Sequence, residues 1–479
     1  MLLANPLLTP TVGRRLVALL VVAYAVVFSL GSAANYRWFG QRHDLVLHEQ
    51  AIWNTTRGRV FEVTGFVHPD RLFGYDPYLI ELLVVPLYAL IPSVYLLLVL
   101  QSLAIALGAP AVWLLARRAG LTPGLALAPV LAYLAAPTVQ ATNLEAFRER
   151  SFGLCFFLWA MVAFRAGRWR TFVTFLGLLT ICRLEAALVA ACFGAYALLV
   201  GRRGRWAVVP PALGLGYFFV GDFVFVPFVN GGQPVTYVYD YFRPLGHSMG
   251  EVLRTVVTHP LYTAHVSLHP AKLAYVLLLL LPTAGLALLA PRELVFTAPI
   301  LGLNLLATKP ELTDVRSWYS MLLVGPLVLA TVGGLRRATD WLARRRRPGW
   351  LAVVPLLACL AVAQVVPRNP LVSLLVHHEP PARRATANAI VALLPPDARV
   401  AASGHLAPHL LRRYLYYYPL ADPSVLPTLD YIAADVASSS FDDPPSRAQL
   451  ERIRQSPEWV LILDREGYQV FRHRSSAGP

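Results

Sequence analysis

Apolar residues in this chain run in blocks rather than in alternation, and the blocks recur from Leu16 to about residue 367. Many approach the roughly 20 residues that a helix needs to cross a bilayer. Taking each block as a helix gives spans near residues 13–33, 92–116, 121–138, 149–166, 169–183, 185–201, 206–229, 271–290, 293–309, 316–334 and 349–367. The expected fold over residues 1–367 is mainly α, a polytopic transmembrane helical bundle of about eleven spans. The first block follows Arg14-Arg15 in the manner of a signal peptide, but no small-residue cleavage site is evident and many spans follow, so it reads as a retained helix. Residues 171–200 pose a particular problem, because they lie between two Arg-rich connections that should share a side. Two short spans that turn at Arg183-Leu184-Glu185 satisfy that condition; one long helix does not.

The pattern changes beyond residue 368. Ala385 to Leu394 has helical character. Val400–Ser403, Leu415–Tyr418 and Trp459–Leu463 read as strands, and Gly467–Phe471 completes a hairpin. Residues 368–479 are therefore expected to form a small soluble α/β domain, without a Gly-rich phosphate loop.

Charged residues make up 14% of the chain, against about 25% in soluble domains, which supports the membrane reading. The net charge of +15 would suit a nucleic-acid binder, but its distribution excludes one. Arg14-Arg15, Arg117-Arg118, Arg165 to Arg170, Arg202 to Arg205, Arg292, and Arg336 to Arg347 sit in alternate connections between apolar blocks. These connections hold 17 cations and two acids, so they carry the whole excess, as the positive-inside rule requires. The N-terminus is then cytoplasmic and the C-terminal domain extracytoplasmic in a multi-pass cell-membrane protein, with the lipid bilayer as partner. The four cysteines fall within apolar blocks and show no metal-type spacing.

The outer connections, residues 34–91 and 230–270, carry the candidate chemistry. Asp44 to Arg57 reads as a helix on the membrane surface, and Tyr78 to Leu90 as a dipping or surface helix too short to span. Asp44, Glu49, Asp70, Asp76, Glu81, Glu145, Glu149 and Glu185 collect on this side, where a carboxylate can act as general base toward an acceptor hydroxyl. Arg148, Arg150, Arg183 and Arg316 are of the type that pairs bidentately with phosphate. The structural alternatives are an N-cap for Asp44, a solvated face for Glu49 and Glu81, and an ion pair at a turn for Arg183 and Glu185. His43, His48 and His68 with Asp44, Glu49, Asp70 and Asp76 could gather a metal, but no pair shows a tight ligand motif, so no metal ligand is assigned. Asn54-Thr55-Thr56 matches a glycosylation acceptor, and Asp222 lies inside a span. The outer aromatic residues, from Tyr36 to Tyr319, suit an interfacial belt.

His43-Asp44-Leu45-Val46-Leu47-His48-Glu49-Gln50-Ala51-Ile52-Trp53-Asn54-Thr55 resembles the opening motif of a prokaryotic family of uncharacterised multi-spanning membrane proteins, which reads roughly Phe-Asp-Leu-Gly-Ile-Phe-Asp-Gln-Ala-Leu-Trp-Asn-Thr. Pro86 to Ser93, the helix after it, and residues 393–418 are similar to that family as well, so the resemblance covers most of the chain. Val46, His48 and Glu49 depart from the motif. Asp76 stands where the family has His, Cys182-Arg183-Leu184-Glu185 where it has a Lys-Glu-Asp cluster, and Arg148-Glu149-Arg150 where it has His-Pro-Glu. The family is itself similar to the GT-C type glycosyltransferases, which take polyprenyl-phosphate sugars as donors and carry a catalytic acid in the first outer loop.

The resemblance implies a GT-C-like membrane domain that transfers a sugar from a polyprenyl-phosphate donor to an acceptor on the outer face. Asp44 and Glu49 are then the catalytic carboxylates, and Arg183, Arg148 and Arg316 the donor phosphate partners. Asp76, Glu185 and Trp53 line the substrate, and a divalent cation is an optional support. Two other classes compete. A transporter or flippase of lipid-linked or small polar substrates predicts ionisable residues deep within several spans. A non-catalytic membrane scaffold predicts no chemistry in the first outer loop.

Overall fold

The computed structural model describes residues 9–41, 44–65, 70–234, 237–366, 368–376, 378–438 and 444–476. Helix α1 spans Pro10–Arg37 and opens on Thr9, whose hydroxyl accepts from the Val12 N–H at 3.3 Å. Its buried residues, Gly13, Val17, Tyr24, Phe28 and Ser32, recur at helical spacing and form one stripe. Leu19, Val22, Val26 and Leu30, on other faces, are more than half exposed. Apolar side chains so placed need lipid rather than water around them.

Five described helices are long and apolar enough to cross a membrane: Pro10–Arg37, Val94–Arg118, Arg205–Val229, Trp318–Arg344 and Gly349–Val376. A sixth candidate is the pair Pro260–Ser267 and Pro270–Thr283, bent by 64°. Length therefore supports fewer spans than the eleven apolar blocks suggest. Several blocks fold into shorter helices such as Leu127–Leu134, Arg150–Arg165, Trp169–Thr180 and Leu184–Leu199. Trp318–Arg344 is the most enclosed of the long helices, and residues 321–335 supply much of the main core.

The chain breaks at the turn near residue 183. One helix ends at Thr180, the next begins at Leu184, and Arg183 between them is extended, with φ −171° and ψ 160°. The Leu184 N–H, which a helix start leaves without an intrahelical acceptor, donates to the Asp76 carboxylate at 3.2 Å. Tyr78 to Leu90 is not one helix. It forms a 3-10 turn, Leu79–Leu83, followed by Val85–Leu90.

The C-terminal domain is a five-stranded sheet in the order β2-β1-β3-β5-β4, with β1 Arg399–Ser403, β2 Tyr414–Tyr418, β3 Tyr431–Asp435, β4 Trp459–Arg465 and β5 Tyr468–His473. β1 pairs in parallel with β2 and β3, and β5 is antiparallel to both of its neighbours. Ala387 and Ile390 of the helix Pro381–Leu393 cover one face, and Leu450 and Ile453 of Pro444–Gln455 cover the other. β3 and the second helix are absent from the sequence reading for physical reasons. β3 is buried along its whole length, so it shows no alternation, and the helix hides only two apolar residues.

Helix α2, Asp44–Thr55, fastens this domain to the membrane part. The Gln50 amide donates to Thr64 Oγ1 at 2.9 Å and to the Leu411 and Arg413 carbonyls at 3.2 Å. The Tyr417 N–H of β2 donates to the Gly65 carbonyl at 3.2 Å. Phe39 and Val46 join the core formed by Leu406, Leu410 and Leu415.

His409 seals the same junction. Its ring stacks on Tyr36 at 4.2 Å, and its Nε2 is 3.0 Å from the Tyr36 carbonyl. Burial pulls the imidazole down to about 4, against a smaller opposing effect of that hydrogen bond. The folded state thus holds His409 neutral, while the unfolded chain takes up its proton near pH 6.5. Its stabilising contribution is complete above about pH 6.5 and is lost as pH falls toward 4. Limited proteolysis of the 36–41 junction should accelerate over that window, and His409→Phe should flatten the dependence.

Candidate active site

A cavity of about 1030 Å³ opens where the end of α1, the start of α2, the 145–148 segment, the 309–319 segment and the C-terminal domain converge. Asp44, the first residue of α2, lies on its wall. Its carboxylate accepts from Arg148 at 2.5 Å. The Arg148 guanidinium also stacks over the Trp318 ring, 3.6 Å from its centroid. Arg148 is therefore held between an anion and an aromatic face, and Asp44 is oriented by a partner 104 residues away. From the other side, Tyr417 of β2 feels the Asp44 charge. Burial pushes its phenol well above the usual range, and Asp44 adds to this.

Arg183 also reaches the cavity, but acids surround it. It meets Asp76 at 3.3 Å, Glu149 at 3.2 Å and Glu185, and donates to the Tyr78 hydroxyl at 3.0 Å. Arg150, fully buried, bridges Glu149 at 3.4 Å and Glu185 at 3.1 Å. Asp76 and Glu185 thus belong to a network behind the cavity rather than to its lining.

Glu49 and Trp53 stand apart. Glu49 is buried and accepts from the Tyr88 hydroxyl at 2.5 Å; burial pushes its carboxyl up to about 7, against that hydrogen bond. Trp53 packs under Arg57, whose guanidinium is 3.9 Å from its ring. Neither lines the cavity. Asp222 does not either; it lies in a single π-helical turn of Arg205–Val229. His43 and His68 lie outside the described residues.

Two cations face the cavity on different terms. Among the described residues, neither Arg316 nor Lys309 forms a carboxylate salt bridge. Lys309 donates to the Tyr241 hydroxyl at 3.2 Å and stands 4.5 Å from that ring. Tyr241, one of the outer aromatic residues, lines the cavity, as do Lys309 and, from the C-terminal domain, His405, which the sequence reading missed. One signal was available: the chain holds only two lysines, Lys272 and Lys309. Lys272 is tied to the Val266 and Leu305 carbonyls, which leaves Lys309 as the lysine at the cavity.

Residues 36–470 match the family model of the predicted membrane proteins DUF2079. The chain belongs to this family. None of the curated proteins matches. Among solved structures, ArnT from Cupriavidus metallidurans bound to undecaprenyl phosphate is similar, with a TM-score of 0.55 at 16% identity over 96% of this chain and 99% of that one. The apo state of the same protein gives a TM-score of 0.55 at 15% identity over the same shares. This DUF2079 member therefore shares the fold of ArnT, with a small sheet domain at its C-terminal end.

Proposed function

We propose that this DUF2079 member is an inverting glycosyltransferase that moves a sugar from a polyprenyl-phosphate donor to an acceptor hydroxyl at the outer membrane surface. The observation that carries this reading is the polar cavity itself: an oriented carboxylate, Asp44, shares its walls with Arg316 and Lys309, two cations without salt-bridge partners among the described residues. The similarity in fold to a protein crystallised with undecaprenyl phosphate supports the choice of donor.

In the proposed step the acceptor oxygen bonds to the anomeric carbon as the bond from that carbon to the phosphate oxygen breaks. The acceptor proton passes to Asp44. The electron pair leaves with the polyprenyl phosphate, whose charge Arg316 and Lys309 stabilise. Asp44 and Arg148 form the base and its orienting partner. Arg183, already satisfied by three acids, serves chiefly to hold the wall of the cavity.

This division of labour is open to a binding experiment. Arg316→Ala and Lys309→Ala should each weaken binding of undecaprenyl phosphate by about tenfold to a hundredfold, the value of a charge-assisted contact. Unchanged binding in both variants would return the phosphate to Arg148 and Arg183. Orientation has its own test. In a background with the four cysteines replaced, Arg465→Cys should react with an impermeant thiol reagent from outside and Arg345→Cys should not, both positions being exposed. Reaction at both from one side would refute an outer cavity.

A further inference from the structure

His48, Glu81 and Glu149 come from three separate segments of the chain and meet in its interior. His48 lies one helical turn beyond Asp44 on α2, Glu81 belongs to the 3-10 turn Leu79–Leu83, and Glu149 precedes the helix Arg150–Arg165. Their exposures are 3%, 0% and 0%. His48 Nδ1 is 2.6 Å from Glu81 Oε1, and His48 Nε2 faces Glu149 Oε2 at 3.8 Å.

Two further observations make this more than an ion pair. First, Glu81 Oε2 and Glu149 Oε2 are buried and have no hydrogen-bond partner among the described residues. A buried carboxylate oxygen left in that state is costly. Second, acids outnumber guanidinium groups around the cluster: four carboxylates (Asp76, Glu81, Glu149 and Glu185) share this network with two arginines (Arg150 and Arg183). A bound cation would offset that excess.

We infer that His48, Glu81 and Glu149 bind a divalent cation behind the cavity. One potential ligand atom from each residue lies within 4.8 Å of the other two. Tetrahedral zinc, with bonds near 2.0 Å, would draw its ligands to about 3.3 Å apart. A six-coordinate ion with bonds near 2.1 Å allows opposite ligands about 4.2 Å apart and so requires less movement. One imidazole with two carboxylates suits Mn²⁺ among such ions. The ion would act by position: His48 shares a helix face with Asp44, and Glu149 adjoins Arg148, so the cation would lock both members of that pair. His48 occupies a position that is Phe in the opening motif quoted above, which makes the site a feature of this chain rather than of that motif.

The test uses Mn²⁺ and full-length protein in detergent, stripped beforehand with EDTA. The expected result is one Mn²⁺ per chain, a raised thermal midpoint, and an electron spin echo modulated by a single imidazole ¹⁴N. His48→Phe should abolish the nitrogen modulation and weaken binding by about tenfold or more. Glu81→Gln, which preserves the side-chain volume, should weaken binding and keep the modulation. Folded wild-type protein that binds no stoichiometric Mn²⁺ would overturn the inference, as would ¹⁴N modulation that survives His48→Phe. These readouts are independent of sugar transfer, so the metal site and the proposed activity can fail separately.

Discussion

Asp44→Asn should lower sugar transfer by about 10²–10⁴-fold, the range of acid–base catalysis, while the thermal midpoint stays near that of the wild type. The amide keeps the size of the carboxylate but cannot take the acceptor proton. It can still accept from Arg148, so the geometry around Trp318 should persist. Were Asp44 only a helix cap, the change would be nearly silent, since Asn caps about as well as Asp. Transfer assays run beside thermal denaturation separate the two readings, and undiminished transfer by a folded variant would remove Asp44 from the mechanism.

Arg183→Ala should act mainly on stability. Arg183 meets Asp76, Glu149 and Glu185, and the first two of these acids are buried. Removing one partner from a buried charge network costs about 3–5 kcal/mol, because the acids left behind lose their counter-charge. The variant should therefore show a lowered thermal midpoint and poor recovery in detergent. Arg316→Ala should leave the midpoint unchanged and weaken phosphate binding. A stable Arg183→Ala protein with a pure donor-binding defect would reverse these assignments.

Much of this was legible in the sequence, and the misses have definite causes. The apolar blocks located the helices, and the charge pattern located the break near Arg183, because one helix cannot return to the side it left. Helix phase on α2 could have gone further. At about 100° per residue, His48 lies close to the face of Asp44, whereas Glu49 is turned about 140° away and Trp53 about 180°. Glu49 and Trp53 accordingly point into packing with Tyr88 and Arg57 rather than into the cavity. The pairing of Asp44 with Arg148 had no local signature, because the two are brought together only when distant helices pack. Arg183 matched the chemistry of a phosphate ligand; the alternative read beside it, an ion pair with Glu185 at the turn, is present, but no sequence pattern revealed that Asp76 and Glu149 would join it. The closing of the cavity by the C-terminal domain was hidden for the same reason: it depends on β2 meeting the segment near Gly65, more than 300 residues away in sequence.

The central claim is transfer itself, and the direct measurement is made with purified protein in proteoliposomes. A panel of polyprenyl-phosphate sugars carrying labelled glycosyl groups is supplied with membrane acceptors, and label is followed into product. The account predicts transfer from at least one donor by the wild type, with release of polyprenyl phosphate in equal amount and inversion at the anomeric carbon. Folded wild-type protein that transfers from no donor in a broad panel, yet moves a lipid-linked or small polar substrate across the bilayer, would contradict it.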